Sequence, residues 1–311
     1  MSLTKPFCEY NEMLSLLNQR KMKFKDKTYA LKKLSQIGYY RLSGFWYVAR
    51  QQSGNILTED FISGTYFESI CELYIFDKKL RILLLDIIER IEIHIRNIIA
   101  HELGRIDPLA YQYAYFIDKS QRSRHQQWLA DLDKKVKRSQ DDFILHYVNQ
   151  GKPIPFWVIV NVWDFGSLSK YYSLLDKTHQ DTIVKYFNID RATFGNWLQQ
   201  LNYLRNCAAH HNRVWNRLFS SDIVIPTGSE SRFKRYKKAT SYFDKLPIYD
   251  PKRVFSRIAV LWFLVSQFSQ NYKWLDKLDR LTNKFPTIPN VRISSMGFHS
   301  SHTNFPITDF S

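Results

Sequence analysis

Apolar residues recur along this chain at spacings of three and four, the period that turns one face of a helix toward a core. The longest run covers residues 66–103, where Ile70, Leu73, Tyr74, Phe76, Asp77, Leu80, Leu83, Leu84, Ile87, Ile88, Ile91, Ile95, Ile98 and Ile99 recur on that period. No Gly or Pro interrupts it, and Gly104 and Pro108 close it. Shorter helical patterns occupy 10–19, 28–37 (capped by Asp26 or Thr28, ended by Gly38), 156–175, 179–187, 191–218, 233–243, 251–270 and 274–283. Residues 121–149 read as a helix pair or one long charged helix, with 134–138 on a solvated face. Loops are expected through Gly54 and Gly64, along the Tyr-rich 109–117 and over 223–231. Strand-like alternation is nearly absent, so the expectation is an all-α protein of helical bundles. The Gly151, Pro153, Pro155 break suggests an N-terminal region 1–150 and a C-terminal region 151–284, followed by an irregular tail, 285–311.

Composition adds a partner class to that picture. Apolar residues make up 44% of the 311, which is ordinary for a globular chain. No apolar run reaches transmembrane length, because charge flanks and divides the segment 82–88. The first residues carry no apolar signal-peptide stretch, and the three cysteines, Cys8, Cys71 and Cys207, are odd in number and far apart. Those features set the expectation of a reducing, cytoplasmic setting with neither a disulfide framework nor a zinc site. The net charge of +16 is distributed along the chain. A field of that sign concentrates polyanions, with nucleic acid the default partner. A membrane is not expected, for no basic amphipathic segment stands apart from a folded body. Candidate RNA contacts are Arg20, Lys21, Lys23, Lys25 and Lys27 in one basic turn, Arg41 in the aromatic corner 39–47, and Arg213. Cations interleaved with rings can hold phosphates and stack bases; the same rings also suit a corner that pins the N-terminal helices to the core.

The pattern R-N-x-x-x-H occurs twice, as Arg96, Asn97, His101 and as Arg205, Asn206, His210. His211, Asn212 and Arg213 extend the second copy. On a helix Asn and His four apart share a face, and Arg lies roughly 100° round from Asn. The three can converge on a ligand beside the helix. Arg offers a donor fork suited to phosphate, and His exchanges protons near neutral pH. No Cys, Asp or Glu cluster with metal spacing accompanies them, and no cofactor is implied. The set suits metal-independent cleavage of RNA: one His takes the 2′-hydroxyl proton, the oxygen attacks the adjacent phosphorus, a second His protonates the leaving 5′ oxygen, and Arg steadies the added charge. Two copies could meet within one molecule or across the two-fold axis of a homodimer. Equally, Arg96 is placed to pair with Glu92 on the preceding turn, with His101 as a helix C-terminal cation.

The paired pattern resembles the signature of HEPN ribonuclease domains. The block from Ile37 through Tyr39, Tyr40, Arg41, Leu42, Ser43, Gly44, Phe45, Trp46 and Tyr47 resembles the opening of the Abi-like family, the AbiD/AbiF type of abortive-infection proteins. The segment 89–96 and the run from Asn196, Trp197 and Leu198 to Asn216 are similar to that family's middle and late blocks, so the likeness covers roughly 28–268. It implies an all-helical HEPN-like fold and an RNA-cleaving toxin of phage defence, with relatives held in check by a small RNA antitoxin. It also implies similarity to the RNA-cleaving CRISPR effectors with two HEPN motifs. By this likeness Arg96, Asn97 and His101 match the first motif and Arg205, Asn206 and His210 the second; His211 also satisfies the spacing, and Glu89 and Glu92 stand near enough in sequence to orient Arg or His. The other readings of the same residues are an RNA-binding module that cuts nothing, and a dimeric interaction scaffold with both motifs in salt-bridge networks.

Overall fold

The computed structural model describes residues 6–269 and 273–310. In chain order its α-helices are α1 (Tyr10–Gln19), α2 (Lys27–Ile37), α3 (Tyr39–Trp46), α4 (Phe67–Gly104), α5 (Arg122–Arg138), α6 (Asp142–Asn149), α7 (Phe156–Ile159), α8 (Phe165–Leu174), α9 (Lys177–Val184), α10 (Arg191–Ala209), α11 (Lys237–Phe243), α12 (Val254–Ser266) and α13 (Lys273–Thr282). A hairpin of β1 (Arg50–Ser53) and β2 (Ile56–Phe61) separates α3 from α4. The all-α expectation holds, since this small hairpin is the sole sheet among the described residues. None of the described helices is long and apolar enough to cross a membrane.

The long apolar run becomes α4, 38 residues and about 57 Å of helix, and the other elements are arranged along it. α2, α3, α7, α8, α9, α10, α12 and α13 all pack against it: Phe45 of α3 meets Tyr74, Trp274 of α13 reaches Leu83, and Phe156 and Trp157 of α7 lie beside Gly104. α12 is buried on every side from Val254 to Val265, as expected of a helix in the interior of a bundle. The buried apolar side chains form one cluster running from Leu14 to Phe310. Trp274 on α13 donates its indole N–H to the Leu83 carbonyl of α4 at 2.9 Å, a polar tie inside an otherwise apolar contact.

The hairpin and the end of α10 differ from the expectation, the helix expected over 156–175 is broken into α7 and α8, and of the two forms expected for 121–149 the chain takes the helix pair. The loop through Gly54 is the hairpin: Ser53 pairs with Ile56 across Gly54 and Asn55, and Gly54 has φ +59°, the first central position of a II′-type turn. β1 reads Arg, Gln, Gln, Ser and carries no apolar alternation, so its sequence gives no period-two signal. The region 121–149 resolves into two helices, with Ser139 ending α5 in an extended conformation. The helix expected over 191–218 stops at Ala209. The described residues of the tail, 285–310, form no α-helix but are packed: Phe298, Phe305 and Phe310 surround Phe255 with ring centroids 5.2–5.7 Å away.

Two histidines are built into this core. The His94 ring stacks on Phe268 at 3.9 Å, and His125 places Nε2 2.8 Å from the Tyr111 carbonyl oxygen, so that nitrogen carries the proton. Burial lowers the pKa of both. Each therefore binds a proton less readily folded than unfolded. Their cost to stability is absent above the ordinary imidazole value, about 6.5, and grows as pH falls from there toward the folded values. Urea unfolding should show stability falling from pH 7.5 to 5.5, with the fall reduced in His94→Phe, which keeps the ring stack; an equal fall in that variant would clear His94 of the effect.

Candidate functional site

α10 begins at Asp190, whose carboxylate accepts the Thr193 N–H at 2.9 Å, an N-cap. Trp197, Leu201, Leu204, Cys207 and Ala208 bury one side of it. Its end carries the second motif. The N–H of Asn212 reaches the Cys207 carbonyl at 2.9 Å and the N–H of His211 reaches the Ala208 carbonyl at 3.2 Å. This is the bond pair of a Schellman motif, with His210 as cap and His211 in the left-handed position that glycine usually fills. His211 has φ +61°, a conformation costing a residue with a β-carbon about 1 kcal/mol relative to glycine. Both His210 and His211 are exposed. Arg205 is half-buried and donates to Asn206 Oδ1 at 3.3 Å, and Asn206 stands one turn before His210. Burial raises the pKa of the neighbouring Cys207 thiol, which makes it a packing residue and not a nucleophile.

The turn is bolted to α4 and α3. Asp77 is fully buried, and its Oδ1 accepts the N–H groups of Val214 at 2.8 Å and Trp215 at 2.9 Å. Arg81, one turn on, lies with Nε 3.5 Å from Asp77 Oδ2 and donates to the carbonyl of His211. Arg41 donates to the same carbonyl at 2.9 Å. Arg213 donates to the Gly44 carbonyl and lies 4.8 Å over the Tyr47 ring. Burial pushes the Asp77 carboxyl up, against the two N–H donors and the arginine charges. Three arginines and one aspartate thus fix the backbone of residues 211–215, leaving the imidazoles outside.

The first motif is divided by its helix. Arg96 faces inward and pairs with Glu92, as its position one turn away allowed. Burial pushes the Glu92 carboxyl up, with Arg96 and Arg205 pulling against it, so the charges of both motif arginines bear on one carboxylate, although only Arg96 pairs with it. Asn97 and His101 lie on the exposed face of α4. The helices run antiparallel: Asp77 meets Val214 and Trp215, Glu92 meets Arg205, and His94 reaches Phe194 through Phe187. His101 therefore lies 20 residues beyond Arg81, about 30 Å of helix from the clamp that holds His211. Within one chain the arginines converge and the histidines diverge.

Among the expected RNA contacts, Arg41 and Arg213 are at the turn, spent on backbone carbonyls. The basic turn lies elsewhere. Arg20 pairs with Glu59 and Lys21 with Asp60 on the hairpin, Lys23 and Lys25 sit over the Tyr66 ring, and Lys27 is exposed at the start of α2. Tyr66 precedes Arg81 by 15 residues, about 22 Å along α4. Asp77 and Arg81 were not among the expected site residues. Their signal was an acid on the apolar stripe of a long helix with an arginine four residues on, since a charge at a core position implies a specific partner. Among the described residues no group of three or more His, Cys, Asp or Glu is placed to hold a metal ion. The strain at His211 gives a direct test. His211→Gly should raise the unfolding free energy in urea by about 1 kcal/mol, while His211→Ala, which keeps the β-carbon, should not. Equal stability of the three proteins would remove the strain.

Neither the curated proteins nor the solved structures give a significant match to this chain. The family model for Abi-like proteins matches residues 32–216, more than half of the chain. That stretch takes in the aromatic corner of α3, all of α4 and the clamped turn through Asn216. The chain belongs to the Abi-like protein family.

Proposed function

We propose that this protein is a metal-independent endoribonuclease of abortive-infection phage defence, and that its active site is the turn closing α10. The observation that carries the reading is His211: a histidine held exposed at positive φ, in a place where glycine would be more stable, on backbone fixed by a buried aspartate and three arginines. Strain of this kind in a rigid setting is found where geometry serves a ligand. Arg205 and Asn206 stand one turn behind, and the +16 charge of the chain draws RNA toward them. Membership of the Abi-like family supports the defence setting, and the likeness of the motif to HEPN ribonucleases supports the chemistry.

In this mechanism an imidazole of the turn takes the 2′-hydroxyl proton, and the freed oxygen attacks the adjacent phosphorus. Arg205 stabilises the charge gathering on the phosphoryl oxygens, Asn206 orients Arg205, and a second imidazole protonates the departing 5′ oxygen. The products are a 2′,3′-cyclic phosphate and a 5′-hydroxyl. The second imidazole is the other member of the His210–His211 pair, or the same turn on a second copy of the chain; His101 of the same chain is too far along α4. Arg96 acts through Glu92 on Arg205, as a positioning residue.

Single-stranded RNA incubated with the protein in EDTA should be cut to those product ends. His210→Ala should lower the rate by a factor of about 100 or more, and His101→Ala should leave it within a few-fold. Mixing inactive Arg205→Ala and His210→Ala proteins restores cutting only if two copies share a site. Cleavage that survives His210→Ala but not His101→Ala would overturn the assignment.

A further inference from the structure

A second feature leads to the same turn and is not part of it. Between α5 and α8 lies a cleft of about 400 Å³ whose walls carry Lys134, Lys135, Arg138 and Lys170 against two carboxylates, Asp131 and Asp164, a surplus of two positive charges. Lys134 pairs with Asp131 at 3.1 Å and Lys135 with Asp164 at 2.6 Å. Among the described residues Arg138 and Lys170 form no ion pair, and both are exposed. An open cleft with cations left over attracts an anion.

The cleft adjoins α10 through Gly166, one of its lining residues: a β-carbon there would stand 3.6 Å from the Asn202 side chain, at van der Waals contact. Asn202, Asn206 and His210 follow one another at intervals of four, so they form one ridge of α10. That ridge runs about 12 Å from the cleft to His210, the rise of three to four stacked nucleotides at about 3.4 Å each. Asp164 and Arg205 both bear on Glu92, which places the cleft wall and the motif arginines in one electrostatic neighbourhood.

We propose that this cleft binds the backbone phosphates of single-stranded RNA and feeds the strand along the Asn202–Asn206 ridge to the α10 turn. The inference rests on the ribonuclease reading for its direction but makes a separate claim about binding. Lys135 is tied to Asp164 and to Ser167 Oγ, both at 2.6 Å, and shapes the wall; Lys134, Arg138 and Lys170 are the phosphate contacts. The ligand is RNA and not a free nucleotide, because the cleft adjoins the Asn202–Asn206 ridge, which a strand of several nucleotides is long enough to follow and a single nucleotide is not.

The test uses full-length protein carrying His210→Ala, so that the strand stays intact, and a labelled oligouridine titrated at several salt concentrations. Replacing Lys134, Arg138 and Lys170 by Ala should reduce the slope of log affinity against log salt by about 2, at roughly 0.7 per phosphate contact, and should weaken binding on the order of 100-fold at about 50 mM salt. Replacing Lys277, Arg280 and Lys284, the cations beside α13, should leave the slope as it was. An unchanged slope in the cleft variant, equal losses in both triple variants, or no RNA binding by the parent protein would each overturn the proposal. So would loss of polyglutamate binding with RNA binding intact, which would assign the cleft to an acidic polypeptide. If the wild-type chain cuts no RNA yet the cleft variant loses RNA affinity, the catalytic reading falls and the cleft stands; if RNA is cut and the slope does not move, the reverse holds.

Discussion

The architecture of the site depends on a carboxylate buried where the pattern of α4 calls for a hydrocarbon. Asp77 receives two backbone N–H groups from the chain after α10, and Arg81 beside it takes up the His211 carbonyl. A carboxylate sunk in a core is costly unless it is paired and hydrogen-bonded, and here the partners come from a segment more than 130 residues away in sequence. Removing one partner from such a set typically costs 3–5 kcal/mol. The same contacts that occupy Asp77 Oδ1 therefore fix the backbone on which His210 and His211 stand. α3 completes the arrangement through Arg41 and the Gly44 carbonyl, so the aromatic corner, the long helix and the motif turn form one unit.

The two R-N-x-x-x-H segments are equal as sequence and unequal as structure. On α4 the pattern lies within a continuous helix, which directs Arg96 to the interior and Asn97 and His101 to solvent. On α10 it spans the helix end, and the Schellman turn swings His211 away from the helical path that would separate it from His210 by roughly 100°. Glu92 pairs with Arg96 and feels the charge of Arg205, while antiparallel packing sends the histidines in opposite directions. The first copy thereby contributes charge and position to the second.

Much of the fold was legible because it rests on period and punctuation. The uninterrupted stripe of α4, the Asp26 and Gly38 boundaries of α2 and the absence of alternation all express local rules. What was missed has physical reasons. β1 is polar on both faces and is held by its turn and by the Arg50–Glu59 ion pair, so no periodicity reveals it. The end of α10 was placed nine residues late because the position that stops the helix holds His211 instead of glycine. The pairing of Arg96 with Glu92 follows from their spacing, but the direction in which His101 points relative to His210 depends on how two distant helices pack. The basic segment 134–138, which reads as a solvated face, gains its meaning only when α8 supplies the opposite wall.

The central claim is that Asp77 holds the α10 turn in the form that cuts RNA, and amide hydrogen exchange of Asp77→Ala, followed alongside RNA cleavage, tests it most directly. The account predicts that the Val214 and Trp215 amides, protected in the wild-type protein through Asp77, lose that protection in the variant while those within α10 retain theirs, and that cleavage falls with them. Retention of both the protection and the cleavage in Asp77→Ala would contradict it.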